Sequence, residues 1–295
     1  MNRILNFGSL NIDYVYDVPA FVKKGETVSS YKRSTFTGGK GLNQTVAMLR
    51  AGLKVWHAGM IGEEGVFLKE YLDNEGADTS LIKTISESTG HAVIQRDIDG
   101  DNCILLYGGA NRQITKEYVD TVLAGFDDGD FIVLQNEISE LKYIIDRASE
   151  KGMKVILNPS PINEEIFKLS LLKVDIFFVN EIEGAALAGC SEGEDASIMT
   201  GKILDKFPDS LTVLTLGEKG AVCRDKDGYT AVEAEKVKAV DTTAAGDTFT
   251  GYFLAGLVLG MSNKECMELA TEASAITVTR PGAAPSIPYI NEITG

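Results

Sequence analysis

The chain has 295 residues, 44% of them hydrophobic, which is enough to bury a substantial core in one α/β domain. Its 28 Lys and Arg stand against 43 Asp and Glu, a formal net charge of -15 that excludes a general binder of nucleic-acid backbones. Any site for an anionic ligand must therefore be positive only locally.

Cys103, Cys190, Cys223 and Cys266 lie far apart without a C-x-x-C pair, so they read as reduced structural thiols, not a redox dithiol or a metal site. The stretch up to Ala20 is interrupted by Asp13 and Asp17 and lacks a basic region followed by an apolar one, so it is not read as a secretory signal. A cytoplasmic protein with neither nucleic-acid nor membrane partners is expected.

In chain order, Ile4 to Gly8 opens as a short strand, and β character returns around Tyr14–Val18 and Val28–Phe36. Thr45–Leu53 has helical apolar spacing. His91–Asp97 and Asn102–Tyr107 flank Ile98-Asp99-Gly100-Asp101, whose Asp-Gly favours a tight turn and hence a hairpin. These four β segments predict a small sheet apart from the main one. From Asp130 onward, strands Phe131–Leu134, Lys154–Leu157 and Asp175–Val179 alternate with helices Glu140–Lys151 and Glu164–Leu172. That alternation predicts parallel strands with right-handed crossovers and helices on both faces. Leu211–Leu216 adds a strand, and Ala221–Arg224 with Tyr229–Val232 a hairpin across Asp227-Gly228. A long apolar helix starts at Ala245, and its uncharged run Thr248–Asn263 is too short to span a bilayer. The last helix begins at Ser262, where Ser262-x-x-Glu265 fits a capping box.

Gly38-Gly39-Lys40-Gly41-Leu42-Asn43-Gln44 sits where a β segment gives way to a helix. Glycine lets backbone approach a ligand, a helix start offers free N–H groups, and Lys40 and Asn43 can bond hydroxyls. A glycine turn beside a surface lysine accounts for the same residues. No G-x-x-x-x-G-K-[ST] occurs anywhere in the chain, so the P-loop motif is absent. Near the other end, Asp241-Thr242-Thr243-Ala244-Ala245-Gly246-Asp247 opens a helix, whose first N–H groups form an anion hole over small residues. Asp247 is there a candidate base, or a plain helix cap.

Asn158-Pro159-Ser160-Pro161, Asn180-Glu181-x-Glu183 and Thr215-Leu216-Gly217-Glu218-Lys219-Gly220 each follow a strand, where open parallel sheets bind ligands. Asn180 and Glu183 suit a hydrated Mg²⁺, or a solvated helix start. Gly189-Cys190-Ser191-x-Gly193 spells G-x-S-x-G but follows a helical stretch, where a nucleophile elbow must follow a strand. With only His57 and His91, each in a β-like segment, a histidine metal site or a Ser-His-Asp triad lacks material.

Taken in this order, the segments resemble the PfkB family of sugar kinases over essentially the whole chain. Gly8-Ser9-Leu10-Asn11-Ile12-Asp13 is similar to the family's first sugar-contact segment. Gly38 to Gln44 is similar to its first signature in the ribokinase form, and Asp241 to Phe249 to its second. The resemblance implies a ribokinase-like α/β fold: one catalytic domain, 1–295, with a central mostly parallel sheet, helices on both faces, and a small β-sheet lid from about 10–37 and 89–109 that also builds a homodimer. It implies an ATP-dependent phosphotransferase with an alcohol acceptor, first of all the 5-hydroxyl of D-ribose. Deoxyribose, a nucleoside or a ketohexose are alternative acceptors, and a non-catalytic sugar-binding regulator is the reading from another class.

By the same resemblance, the sugar would meet Asn11, Ile12, Asp13, Gly39, Lys40, Gly41, Leu42, Asn43 and Glu137, with Asp247 as base. Ala244, Ala245 and Gly246 would form the anion hole. ATP would meet Asn180, Thr215, Leu216, Gly217, Glu218, Lys219, Gly220, Gly246, Asp247 and Thr271. Glu183 would assist Mg²⁺ through water. An activating K⁺ would be held by the side chains of Asp241 and Ser286 and by carbonyls of Thr243, Thr277, Arg280 and Gly282. Thr271 departs from the His or Asn common at its position, and Pro281 stiffens the cation loop.

Overall fold

The computed structural model describes residues 2–293, so Met1, Thr294 and Gly295 of the expected 1–295 domain lie outside it. Among the described residues two sheets form. The larger contains β1 (Ile4–Phe7), β4 (Val55–Ile61), β5 (Ile82–Thr84), β8 (Phe131–Gln135), β9 (Lys154–Asn158), β10 (Ile176–Val179), β11 (Leu211–Thr215), β12 (Ala221–Asp225) and β13 (Gly228–Val232), in the order β13-β12-β11-β10-β9-β8-β1-β4-β5. Strands β5 through β11 run parallel, and the β12–β13 hairpin closes one edge antiparallel.

Side chains alternate between the two faces of a strand, and both faces here are covered. Ile4, Val133, Ile156, Phe178 and Val213 pack under α1 (Lys40–Arg50), α2 (Val66–Glu75), α7 (Ala245–Val258) and α8 (Asn263–Val278). Their neighbours Leu5, Ile132, Leu157, Phe177 and Leu214 pack under α3 (Lys116–Leu123), α4 (Leu141–Glu150), α5 (Glu181–Ala188) and α6 (Ala196–Lys206). The smaller sheet, β3-β2-β6-β7, comprises β2 (Asn11–Asp17), β3 (Lys32–Gly38), β6 (Gly90–Arg96) and β7 (Asn102–Tyr107). Its β2–β6 pair is parallel and its outer pairs are antiparallel.

Four segments differ from the sequence reading by more than one residue. Glu164–Leu172 is not an α-helix but two 3₁₀ turns, Glu164–Lys168 and Leu171–Lys173, because Leu169 takes an extended conformation and only Ile166 and Leu171 are buried, without a helical stripe. The first helix starts at Lys40 rather than Thr45: Gly39, at φ 94°, turns the chain, and side chains from elsewhere receive the first amides. The first two strands of the small sheet are Asn11–Asp17 and Lys32–Gly38, in place of Tyr14–Val18 and Val28–Phe36. Ser262 does cap the last helix through a capping box with Glu265.

Arg50, at the carboxyl end of α1, is buried and donates to the carbonyls of Ala284 (3.0 Å) and Ile287 (2.6 Å) while pairing with Glu75 at 2.6 Å. Its guanidinium also lies 4.7 Å from the Tyr289 ring centre. The segment after α8 is thereby fixed to α1. No helix among the described residues is long and apolar enough to cross a membrane.

Candidate active site

Because β4 joins β1 on one side and β8 on the other, the strand order reverses at β1, and a crevice opens at the carboxyl ends of β1 and β8. Glu137, just past β8, reaches across it. Its Oε2 accepts the Lys40 amide at 3.1 Å and the Ser9 hydroxyl. Ser9 Oγ in turn accepts the Gly41 amide at 3.1 Å, and the Ser9 carbonyl accepts the Leu42 amide at 3.0 Å. The free N–H groups expected at this helix start are thus already bonded within the protein. Leu42 and Ile12, expected at the sugar site, both send their side chains into the core. A Cβ on Gly41 would stand 2.6 Å from the Gly8 carbonyl carbon, so this glycine serves close packing of α1 on the loop after β1.

Of the other expected sugar contacts, Asp13 and Lys40 lie within electrostatic reach of Glu137, and Asn43 bonds Asp247. Asn11 Oδ1 accepts from Asn111 Nδ2 at 2.8 Å, a buried partner that the sequence did not single out. Burial, aided by the charge of Glu137, pushes the Asp13 carboxyl up to about 7. Burial works to lower Lys40, but the carboxylates of Asp247, Glu137 and Glu183 outweigh it and hold the ammonium above its ordinary value.

Asp247 is buried at 7% exposure in the first turn of α7. Asn43 Nδ2 donates to its Oδ2 at 3.1 Å and Gln44 Nε2 to its Oδ1 at 2.9 Å. The other amide atom of Asn43, Oδ1, is buried without a partner. Ala244 precedes the helix in the left-handed region at φ 63°, a conformation that costs a non-glycine residue energy. The first helical bond runs from the Thr248 amide to the Ala244 carbonyl at 2.8 Å, so the Gly246 and Asp247 amides have no acceptor within the helix. The Ala245 amide leans on the Thr242 carbonyl at 3.3 Å.

Beside this helix start lies a mostly apolar cavity of about 470 Å³. Of the residues expected to meet ATP, Thr215, Gly217, Glu218, Gly220, Gly246 and Thr271 line it. Asn180, Leu216, Lys219 and Asp247 do not, and Lys219 points outward to Glu181 at 3.4 Å. The sequence reading missed the segment through Ala234, Val237 and Ala239 and the wall of Phe249, Ser274 and Ala275. The small side chains of Ala234, Ala239, Ser274 and Ala275 were the available signal. Thr271 Oγ1 is buried here without a partner. A smaller hollow of about 180 Å³ near Arg3 and Trp56 opens at the amino ends of the strands, where Arg3 is already paired with Asp127 and Asp130.

Asn180 and Glu183 form a capping box at the start of α5: the Glu183 carboxylate accepts from the Asn180 amide at 3.0 Å and from its side chain at 3.1 Å. Asp241 ties two loops together, accepting from the Thr243 amide and hydroxyl at 2.9 and 2.6 Å and from the Gly282 amide at 2.9 Å. Burial works against the charge of Asp241, but those hydrogen bonds win and hold it below the ordinary carboxylate value. Ser286 and Thr277 are buried close by in sequence, Ser286 Oγ donating to the Ala283 carbonyl and the Thr277 carbonyl accepting from the Arg280 amide. An ionised carboxylate among hydroxyl and carbonyl oxygens is a donor set that fits a hard cation.

Residues 1–290 match the pfkB family carbohydrate kinases. A ribokinase of Haemophilus influenzae is 36% identical over 296 residues, covering 97% of this chain and 95% of that protein. The structure of a ribokinase from Cryptococcus neoformans var. grubii serotype A in complex with ADP superposes with a TM-score of 0.86 at 33% identity, over 99% of either chain. That of an Arabidopsis thaliana ribokinase complexed with ribose and ATP gives 0.85 at 28% identity, over 99% of this chain and 98% of the other. A likeness that runs unbroken from the first strand to the last helix, in sequence as in fold, places this chain in the pfkB family of carbohydrate kinases.

Proposed function

We propose that this carbohydrate kinase transfers the γ-phosphoryl group of ATP to the 5-hydroxyl of D-ribose. The observation that carries the reading is Asp247: a buried carboxylate, oriented by Asn43 and Gln44, beside the unbonded Gly246 amide and within electrostatic reach of Lys40. The relatives that bind ADP, or ribose and ATP, support the choice of substrates.

Asn11, Asp13, Lys40, Asn43 and Glu137 offer carboxylate, ammonium and amide groups to adjacent hydroxyls of a neutral polyol. Asp247 orients the attacking hydroxyl and accepts its proton as the new O–P bond forms and the bond to the ADP oxygen breaks. The Gly246 and Asp247 amides receive phosphate charge, and positioning with charge stabilisation supplies most of the rate. The 470 Å³ cavity takes the nucleoside end, with Thr271 Oγ1 as a polar contact. Mg²⁺ when bound neutralises phosphate charge, and Glu183 would hold its water shell. Asp241, Ser286 and the carbonyls of Thr243, Thr277, Arg280 and Gly282 would hold K⁺ and so stiffen the loop before Gly246.

The small sheet acts as a lid, about 10–37 and 89–109, whose closure excludes water from the reaction. Its exposed Phe36, Ile104, Leu105 and Leu106 suit a homodimer interface. The enzyme works as one catalytic domain in the cytoplasm. An ATP-coupled assay over ribose, deoxyribose, fructose and adenosine tests the reading. Turnover of ribose, cut by roughly a thousandfold in Asp247→Asn, is the expected result; ribose binding without turnover in the wild type would instead favour a regulator, and preference for another acceptor would overturn the substrate.

A further inference from the structure

The sheet face under α1 carries polar residues where strand alternation calls for apolar ones. Asn6 of β1, His57 of β4 and Gln135 of β8 are all fully buried there. Hydrogen bonds connect them to Asp247. Gln135 Nε2 donates to Asn6 Oδ1 at 3.0 Å and to Gln44 Oε1 at 2.7 Å, and Gln44 Nε2 donates to Asp247 Oδ1 at 2.9 Å. Asn6 Nδ2 donates to the Gly41 carbonyl at 2.7 Å and to Thr45 Oγ1 at 2.8 Å, and Thr45 Oγ1 lies 2.8 Å from His57 Nδ1.

One group that can only accept sets the direction of the whole series. The Gly41 carbonyl has no proton to give, so Asn6 must turn its amino group to the helix and its oxygen to Gln135. Gln135 must then donate to Asn6, and its second proton goes to Gln44 Oε1. Gln44 is left with its amino group facing Asp247. Were any amide in the series reversed, Gln44 would bring its own oxygen against the carboxylate. On the side branch Thr45 Oγ1 accepts from Asn6 and lies against His57, an imidazole that burial pushes down to about 3 and keeps neutral.

We propose that Gln135 and Asn6 are positioning residues for phosphoryl transfer, holding Gln44 in the one orientation that donates to Asp247. Neither has surface exposed to a ligand, and Gln135, whose two bonds go to Asn6 and Gln44, reaches Asp247 through Gln44. The inference rests on Asp247 being the base. Gln135→Met keeps side-chain length while removing both donors. Its kcat falls roughly tenfold to hundredfold, the worth of one hydrogen bond to a charged group, while KM for ribose and for ATP stays within about threefold. In the Asp247→Asn background, Gln135→Met adds less than about a twofold further loss, because its effect passes through the missing carboxylate.

Multiplying losses in the double variant, or wild-type kcat in Gln135→Met, overturns the proposal. Should Gln135→Met not fold, Gln44→Met, which removes the last link directly, goes through the same cycle with the same expectations. Wild-type turnover by Asp247→Asn removes the base assignment and this inference with it. Loss of turnover in Asp247→Asn alongside wild-type kcat in Gln135→Met removes this inference alone.

Discussion

Gly251 of α7 crosses Ala47 of α1 so closely that a Cβ on the glycine would stand 2.8 Å from the Ala47 carbonyl carbon. One helical turn earlier on each helix stand Asp247 and Asn43, which hydrogen-bond at 3.1 Å. The crossing therefore sets the distance between the proposed base and the helix that carries the proposed sugar contacts. Gly251→Val forces the helices apart and is expected to lower stability by about 1–3 kcal/mol and kcat by more than the stability loss explains. Thermal unfolding and single-substrate kinetics on the same preparation check it.

Asp13 gives a pH prediction of definite sign. Its folded carboxyl titrates at about 7 against an ordinary 3.8, so between those values the folded chain holds a proton that the unfolded chain releases. The associated stability is fully present below the ordinary value and is lost as pH rises through about 7. Asp13→Asn cannot ionise, so its thermal midpoint is expected to stay flatter across that window and to exceed wild type at alkaline pH by roughly 5 °C. If ionised Asp13 accepts a sugar hydroxyl, wild-type kcat/KM for ribose rises through neutral pH and the variant loses that rise.

Thr271 carries a buried hydroxyl without a protein partner against the cavity. Thr271→Val keeps the shape and removes the orphan group. The nucleotide-free protein is expected to be as stable as wild type or slightly more so, while KM for ATP rises roughly threefold to tenfold. Unchanged KM for ATP would falsify a contact between this hydroxyl and the nucleotide.

Asp241 is the fastener between residues 241–243 and Gly282. The wild-type enzyme is expected to speed up on replacing tetramethylammonium by potassium at constant ionic strength, with KM for ribose nearly constant. Asp241→Ala abolishes that response and lowers kcat by roughly tenfold or more. Equal rates in both salts for the wild type refute cation activation.

Legibility in the sequence followed locality. Asp-Gly at the β6–β7 turn, the Ser262 box and the strand-helix alternation after Asp130 are short-range signals, and apart from Glu164–Leu172 they gave the right elements. The start of α1 was misplaced because its acceptors, Ser9 and Glu137, come from distant parts of the chain. The same holds for function: motif spacing singled out Asp247, Asn43 and Lys40, but Asn111 and the wall around Phe249 became visible only once the sheet had brought them in. Asn6 and Gln135 were readable in principle, as polar residues inside otherwise apolar strands, yet two isolated polar letters do not disclose that they meet.

The grip of Arg50 on Ile287 closes the polypeptide into a ring across 237 positions without a covalent bond. Such a ring has no loose end to peel: a nick in a surface loop between Glu75 and Ala284 leaves both fragments held by the same guanidinium, Glu75 and the tail carbonyls. Nicked protein should accordingly co-migrate as a whole and keep turning over, whereas losing the stretch from Ala284 onward would leave a buried cation with two missing acceptors on the very helix that presents Lys40.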